Sequence, residues 1–455
     1  MTDQDCSIST SQLQIGVYVY LDVGWMHHPF SFNNFKIKSE DQIRTIQSLG
    51  LDKVRWDPDR SDLRPLPAGT APLAAVSAAA ATATAARAET SVAAGAAPSA
   101  AAESPPALAA EVVAANEAAV AAKQVRIERL RVQRDQLAKV QQAFVSANAT
   151  VRAISKDIFS KPKETIAQSE QLVRQMVDTF LSAPEVAIQV MGEKPGGEEV
   201  YLHALNVSVL SMMIGRELAL PAETMGQLGI GCLFHDIGLT EIPAKILNKV
   251  EPLTKSERDF YEMHCAYGVD IARRVGLTEA VQTIIRSHHE FQDGSGYPDR
   301  LKGEAIHMLA RIVVVTSHYD SLCNPVNISA ALTPHEALSL MFAQQRAKFD
   351  PKILQIFIRC LGVFPPGTVV RLNNDVVGLV ISINAARPLK PSVIIHDPDV
   401  PRHEAIIVDL DAEPDISISK AIRPAQLPKA IYDYLSPRKR ISYYFDADAG
   451  KSAQS

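Results

Sequence analysis

From about residue 66 to about 115 the chain is almost entirely alanine, broken only by Pro, Ser, Thr, Gly and a few charges, and this tract constrains everything around it. Side chains that small cannot bury enough apolar area to offset the entropy of ordering the backbone. The tract, bounded here as 66–120, is therefore expected to be a disordered linker. A chain of 455 residues interrupted in this way must build separate modules on either side.

Upstream, residues 1–65 predict a small module with β-structure. Ile15–Tyr20 and Lys53–Trp56 carry the β-branched and aromatic residues of strands, and Ser39 is placed to cap a short helix that runs to Ser48 and stops at Gly50. Downstream, Ala121–Ala147 turns helical, with Ile127, Leu130, Leu137, Val140 and Phe144 forming a stripe that Arg134 and Gln141 interrupt. That seam is shorter than the three or four heptads of a dependable coiled coil. Two readings stay open: a dimerising or signal-relaying helix in a homodimer, and a helix packed on its own domain.

The expected boundaries are 121–190 for a helical connector, 191–362 for an all-helical domain and 363–455 for a β-rich domain. In the last of these the apolar period changes. Thr368–Leu372, Val376–Ile383, Ser392–His396 and Ala405–Asp409 form short strands between Asn-Asn, Arg-Pro and Asp-Pro turns, with Leu427–Leu435 as a closing helix. The fold class is thus multidomain: a central all-α bundle, a small α+β N-terminal module and a small β-rich C-terminal domain.

Charge excludes some functions. The net charge is −5 with acids and bases intermixed, unlike the basic surface of a duplex nucleic-acid binder. Five cysteines, with no Cys-x-x-Cys pair, fit a reducing compartment. Met1–Gln12 lacks the basic start and apolar run of a secretory signal, and no apolar stretch approaches the length of a bilayer span. A cytoplasmic protein without membrane insertion is expected.

The candidate chemistry lies in the helical domain. His203, His235-Asp236, His264 and His288-His289 fall on the apolar stripes of four successive predicted helices. Glu199 is four residues before His203 and would share its face. His235 and Asp236 cannot share one face of a regular helix, but near a helix end they could straddle two ions, with the carboxylate as bridge. Imidazoles and carboxylates converging from several helices suit more than one divalent ion, and such a site suits phosphate-ester hydrolysis. A single histidine of this kind would more often be a hydrogen-bonded core residue, and His307, His318, His335, His396 and His403 are assigned that ordinary role.

The motif Leu233-Phe-His-Asp-Ile-Gly238, with His203 before it and His264 after it, resembles the HD phosphohydrolase superfamily. His288-His-Glu-Phe-Gln-Asp-Gly-Ser-Gly-Tyr-Pro298 is similar to the signature of its HD-GYP branch, the bacterial cyclic di-GMP phosphodiesterases. Residues 13–60, through Leu21–Trp25 and Pro29-Phe30, resemble a domain of unknown function found ahead of HD-GYP domains in proteobacteria. The resemblance implies a bundle of about seven helices holding two or three iron or manganese ions. It implies His203, His235, Asp236, His264, His288 and His289 as ligands, Glu199 as an added one, and His235 with Asp236 as the catalytic pair. Asp293, Gly294, Gly296, Tyr297 and Pro298 would form the substrate loop. The substrate would be cyclic di-GMP, the products pGpG and GMP, and the protein partners cyclases of the GGDEF type.

Three positions depart from the family pattern. Leu239 stands where a lysine usually closes the first motif, Ser317 where a ligand aspartate is usual, and Cys323–Asn327 where an arginine-bearing phrase is usual. Lost cations weaken the binding of a dianionic substrate, although Lys302 or Arg311 could supply the charge. Two functions of different class therefore stand: an active metal-dependent phosphodiesterase, and a degenerate module acting as a cyclic di-GMP receptor or protein-interaction platform.

Overall fold

The structure is a computed structural model. It describes residues 6–23, 28, 30, 33–67, 128, 131–132, 135, 138–182, 187–190, 199–384, 388–398, 400–402, 405–413, 415–437 and 441–446. The linker expected at 66–120, with Trp25, Pro29, Ile127, Leu130, Arg134, Leu137 and His403, lies outside them save for its first two residues. The chain divides into two compact units, residues 1–131 (grouped with 398–401) and residues 132–397 with 402–455.

The N-terminal unit is a four-stranded antiparallel sheet in the order β1-β4-β2-β3, with β1 Ser7–Ser9, β2 Tyr18–Tyr20, β3 Asn34–Lys36 and β4 Lys53–Asp57. Helix α1, Glu40–Ser48, begins where the Ser39 hydroxyl accepts the Gln42 N–H, which offsets one of the unpaired donors of a helix start. Ile8, Leu13, Val17, Val19, Leu21, Ile37, Ile46 and Val54 form its core. The strand expected at Ile15–Tyr20 starts only at Tyr18, because Gly16 takes a left-handed φ of 95° and turns the chain first.

The second unit holds a helical bundle. Its elements are α2 (138–157), α3 Pro162–Ser182, α4 Glu199–Glu217, α5 Ala222–Phe234, α6 Ala244–Leu247, α7 Lys255–Glu262, α8 His264–Val275, α9 Glu279–Ser287, α10 Met308–Cys323, α11 Pro334–Ala343 and α12 Pro351–Leu361. Local chemistry sets their ends. Thr254 with Glu257 and Thr333 with Glu336 make capping boxes, the Asp350 carboxylate caps α12 ahead of Pro351, and Gly276 at φ 87° ends α8. In α2 the stripe Val140, Phe144, Ala147, Val151, Ile154 is buried in the same core as Val173, Met176 and Phe180 of α3. Of the two readings of that seam, its described part therefore packs on its own bundle.

The β-rich part has the order β10-β6-β7-β5-β11, with β8 paired to β7 and β9 to β8. Its strands are β5 Ala187–Val190, β6 Val369–Leu372, β7 Val377–Asn384, β8 Ser392–Ile395, β9 Ile407–Asp409, β10 Ile418–Ile422 and β11 Tyr443–Asp446. Helix α13, Lys429–Leu435, places Leu435 against Val369 and Leu379. Three of these strands differ from expectation. β5 falls within the stretch assigned to a helical connector, and β10 and β11 carried no strand assignment. Four or five residues are too few to show a period, and pairing with strands far away in sequence decided their conformation: β5 on β7, β10 on β6 and β11 on β5.

Candidate metal centre

Helix ends place most of the histidines. His235 is the first residue past α5, and its Nδ1 donates to the Cys232 carbonyl at 2.7 Å. His288 stands likewise past α9, its Nδ1 donating to the Ile285 carbonyl at 2.8 Å. His264 opens α8 directly after α7 and donates to the Tyr261 carbonyl at 2.7 Å. Each ring thus uses a main-chain carbonyl of the last turn of a helix, where carbonyls run short of intrahelical donors. A carbonyl can only accept, so each Nδ1 carries a proton and each ring turns its Nε2 inward. His203, within α4, is aimed differently: its Nδ1 lies 2.6 Å from Oδ2 of the fully buried Asp320.

Asp236 sits where the chain leaves the helix, at φ −100° and ψ 12°, and its two oxygens divide between two groups. Oδ2 faces Nε2 of His235 at 3.3 Å and of His203 at 3.8 Å. Oδ1 faces Nε2 of His288 at 3.3 Å and of His264 at 3.6 Å. His203, His235 and Asp236 form one set of convergent ligand atoms, and Asp236, His264, His288 and His289 form another. Within the sets, Nε2 atoms meet at 3.2 Å (His203–His235) and 3.3 Å (His264–His288). Two ring nitrogens that close repel unless a proton or a metal cation lies between them. The buried Asp236 Oδ1 and His289 Nε2 also lack any hydrogen-bond partner, a costly state in the absence of a ligand. On these grounds the residues fit divalent metal, and imidazole with carboxylate suits iron, manganese or zinc.

Burial and neighbouring charge tune the groups. Burial pushes the His288 imidazole down to about 4, and it lowers His264 and, more strongly, His289. For Asp236 burial acts upward, but His235 and His288 outweigh it and hold the carboxyl well below the usual range. His203 goes the other way: burial lowers it, yet the Asp320 carboxylate raises it overall. Burial thus holds His264, His288 and His289 neutral beside an ionised Asp236, the protonation state that binds metal.

The remaining site expectations are placed as follows. Glu199 is the first residue of α4, and its side chain lies outside what is described. Tyr297 stacks on His289 with ring centroids 4.6 Å apart, and its N–H donates to the His289 carbonyl at 3.1 Å. Gly296 is buried where any Cβ would overlap the His289 carbonyl and the Phe291 amide, so only glycine lets the loop fold onto the histidines. Pro298 is half-buried beside it. Asp293 is exposed and turns back to Ser295 N and Oγ at 2.8 and 2.6 Å, while the exposed Lys302 lays its stem against Gly294. Arg311 is not brought to the cluster as a spare cation: Asp350 engages its guanidinium at 2.8 Å, nearly two turns along α10 from Ser317. Ser317 Oγ lies 3.4 Å from His203 Nε2, and the half-buried Leu239 offers no charge.

The histidines set apart have ordinary roles where described. His307 caps α10, His318 bonds Gln345 at 2.7 Å, His335 bonds the Val363 carbonyl at 2.7 Å, and His396 packs on Tyr434.

Four residues escaped sequence reasoning. Asp320 holds His203, and Asn206 and Asn324 hold Asp320 at 2.7 and 2.9 Å. Their signal was present: Asn206 is three residues after His203, and Asp320 and Asn324 follow Ser317 at i+3 and i+7, which are same-face spacings on apolar helices. The fourth, Glu290, is buried within the signature and accepts the backbone N–H groups of Asp299 and Leu301 at 2.5 and 2.9 Å, which shapes the loop.

A bundle whose helix ends gather imidazoles around a shared carboxylate defines a candidate divalent-metal centre of the His-Asp kind. Residues 131–353 match the family described as HD domain, and that stretch carries the phrase His288–Pro298. Residues 5–169 match a domain of unknown function (DUF3391), and residues 369–430 match a KOW domain associated with HD domain. Among similar proteins, cyclic di-GMP phosphodiesterase PA4108 of Pseudomonas aeruginosa is 29% identical over 54% of this chain and 60% of its own length. Cyclic di-GMP phosphodiesterase response regulator RpfG of Xanthomonas campestris is 31% identical over 36% of this chain and 44% of its own. The chain thus spans less than two thirds of the length of these relatives. The solved structure of Bd1817, an HD-type protein from Bdellovibrio bacteriovorus, covers 77% of this chain and 96% of that one at 14% identity, with a TM-score of 0.40. Among the described residues, no helix is long and apolar enough to cross a membrane.

Proposed function

We propose that this chain is a metal-dependent phosphodiesterase that hydrolyses cyclic di-GMP to pGpG and GMP in bacterial second-messenger signalling. The observation that carries the reading is the Asp236 carboxylate, one oxygen toward His203 and His235, the other toward His264 and His288. His203, His235 and Asp236 would hold one divalent ion, and Asp236, His264, His288 and His289 another, iron or manganese. Such ions lower the pKa of water toward neutrality and neutralise the charge of a phosphodiester. The chain's own part is to aim four imidazoles by their Nδ1 bonds, to keep Asp236 ionised, and to close the Gly296–Pro298 loop over His289. Cyclic di-GMP as substrate is supported by the activity for which the relatives above are named.

The receptor reading is favoured by one set of observations: Leu239 and Ser317 contribute no charge, and Arg311 is committed to Asp350. The two readings part in one experiment. The full chain is purified anaerobically, its Fe and Mn are counted, and pGpG and GMP are followed with cyclic di-GMP and, in parallel, 3′3′-cGAMP, the substrate named for relatives in Vibrio cholerae. Metal-loaded, folded protein that binds cyclic di-GMP without turnover establishes the receptor and defeats the enzyme. Turnover of 3′3′-cGAMP alone corrects the substrate, and turnover surviving His235→Ala with Asp236→Ala defeats the assigned site.

A further inference from the structure

Asp320 is fully buried, and three side chains converge on its carboxylate. Oδ2 takes His203 Nδ1 at 2.6 Å, and Oδ1 takes Nδ2 of Asn206 at 2.7 Å and of Asn324 at 2.9 Å. Both asparagines are in turn held by a segment more than a hundred residues further on. Their Nδ2 groups also donate to the Ile441 carbonyl, at 2.9 Å from Asn206 and 2.8 Å from Asn324. Their side-chain oxygens accept backbone N–H groups from the same segment, Ile441 to Asn324 at 2.7 Å and Tyr443 to Asn206 at 2.9 Å. The fully buried Tyr443 is fixed again at its hydroxyl, 2.9 Å from that of Tyr319.

From Tyr443 onward the segment is β11, paired with β5, which pairs with β7 of the β-rich part. An unbroken chain of hydrogen bonds therefore runs from a sheet strand to an inward-facing imidazole. Simple core filling would not need both amides to use donor and acceptor on the same three residues.

We infer that residues 441–443 are a positioning element for the metal centre: through Asn206 and Asn324 they fix Asp320, which fixes His203, so the seating of the C-terminal strand sets metal affinity at the His203–His235–Asp236 group. This rests on the metal reading above. Carboxylates and carbonyls behind a ligand histidine typically change metal affinity by about 10- to 100-fold when removed. Coupling of this kind is reciprocal, so metal must stabilise the strand as much as the strand favours metal. Packing of Ile441 and Tyr443 by itself would stabilise the fold and leave metal affinity unchanged.

The test uses the full chain, stripped of metal, with Mn(II) alone as the probe. Free Mn(II) is measured by electron paramagnetic resonance for the wild type and Asn324→Ala, and amide hydrogen exchange of the 441–446 segment is followed with and without Mn(II). One ion should bind about 10- to 100-fold more weakly in Asn324→Ala while the other is unchanged, and Mn(II) should slow exchange at Ile441 and Tyr443 in the wild type. Unchanged affinity in a folded Asn324→Ala overturns the inference. So does exchange at those two amides that ignores Mn(II), a result that stands even if the variant does not fold. A wild type that binds no Mn(II) removes the metal reading itself and this inference with it, whereas binding without coupling removes only the inference.

Discussion

Gly238→Ala is the sharpest perturbation of this centre. Gly238 is buried in the short turn of helix, Ile237–Glu241, that follows Asp236, and it rests against the start of α8. A Cβ at that position would overlap the His264 carbonyl and the Gly268 amide nitrogen. Both are backbone, so no side chain can rotate away, and the two elements must separate by something on the order of 1 Å to reach ordinary contact. Asp236 lies on one side of that contact and His264 on the other, with Oδ1 and Nε2 only 3.6 Å apart. Metal–ligand distances tolerate about 0.2 Å, so the set containing His264 should lose at least about tenfold in affinity. Overpacking of this kind costs about 1–3 kcal/mol, here toward the upper end, which lowers the melting temperature by roughly 5–10 °C. Gly226→Ala is the control: it lies inside α5 with nothing near its Cβ position, so alanine there should raise stability by about 0.5–1 kcal/mol. The assays are calorimetry of the metal-free chain and Mn(II) titration. A Gly238→Ala protein that melts and binds metal like the wild type would refute the packing argument.

Three further outcomes follow from the same geometry. His288 has its folded-state pKa pushed down to about 4 from 6.5, so between those values the unfolded chain binds the extra proton. The stability it contributes is complete above about pH 6.5 and is lost as pH falls toward 4, a change of about 3 kcal/mol. Denaturant midpoints of the metal-free chain at pH 7 and pH 4 measure it, and a His288→Phe variant that keeps the full slope would count against the assignment. Asp320→Asn keeps the shape but removes the charge behind His203, and should weaken one bound ion about 10- to 100-fold in a competition titration. Ser317→Asp places a carboxylate beside His203 Nε2, so metal should bind more tightly there, and equal affinity would show that Oγ faces away in solution.

Much of the centre was legible because its signals are local. His235, His264 and His288 stand at helix ends, and helix ends are written in caps, glycines and the phase of apolar stripes. The signature loop is equally local, since Gly296 and Glu290 shape it through neighbours within eleven positions. What stayed hidden depends on residues far apart in sequence. Arg311 looked like a spare cation until Asp350 closed on it from 39 residues away, and β5 and β11 looked like connector and tail until they paired with each other.

The sequence by itself determined the helical and β-rich segments and a set of metal-binding residue types at helical spacing, because composition and period depend only on nearby residues. The tertiary structure alone decided that Asp236 faces two imidazole pairs at once, and that His203 is braced by Asp320, Asn206, Asn324 and the backbone of Ile441 and Tyr443. The physical reason is that hydrogen-bond geometry is specific to about a few tenths of an ångström. Only the packed chain fixes positions that finely across more than two hundred residues.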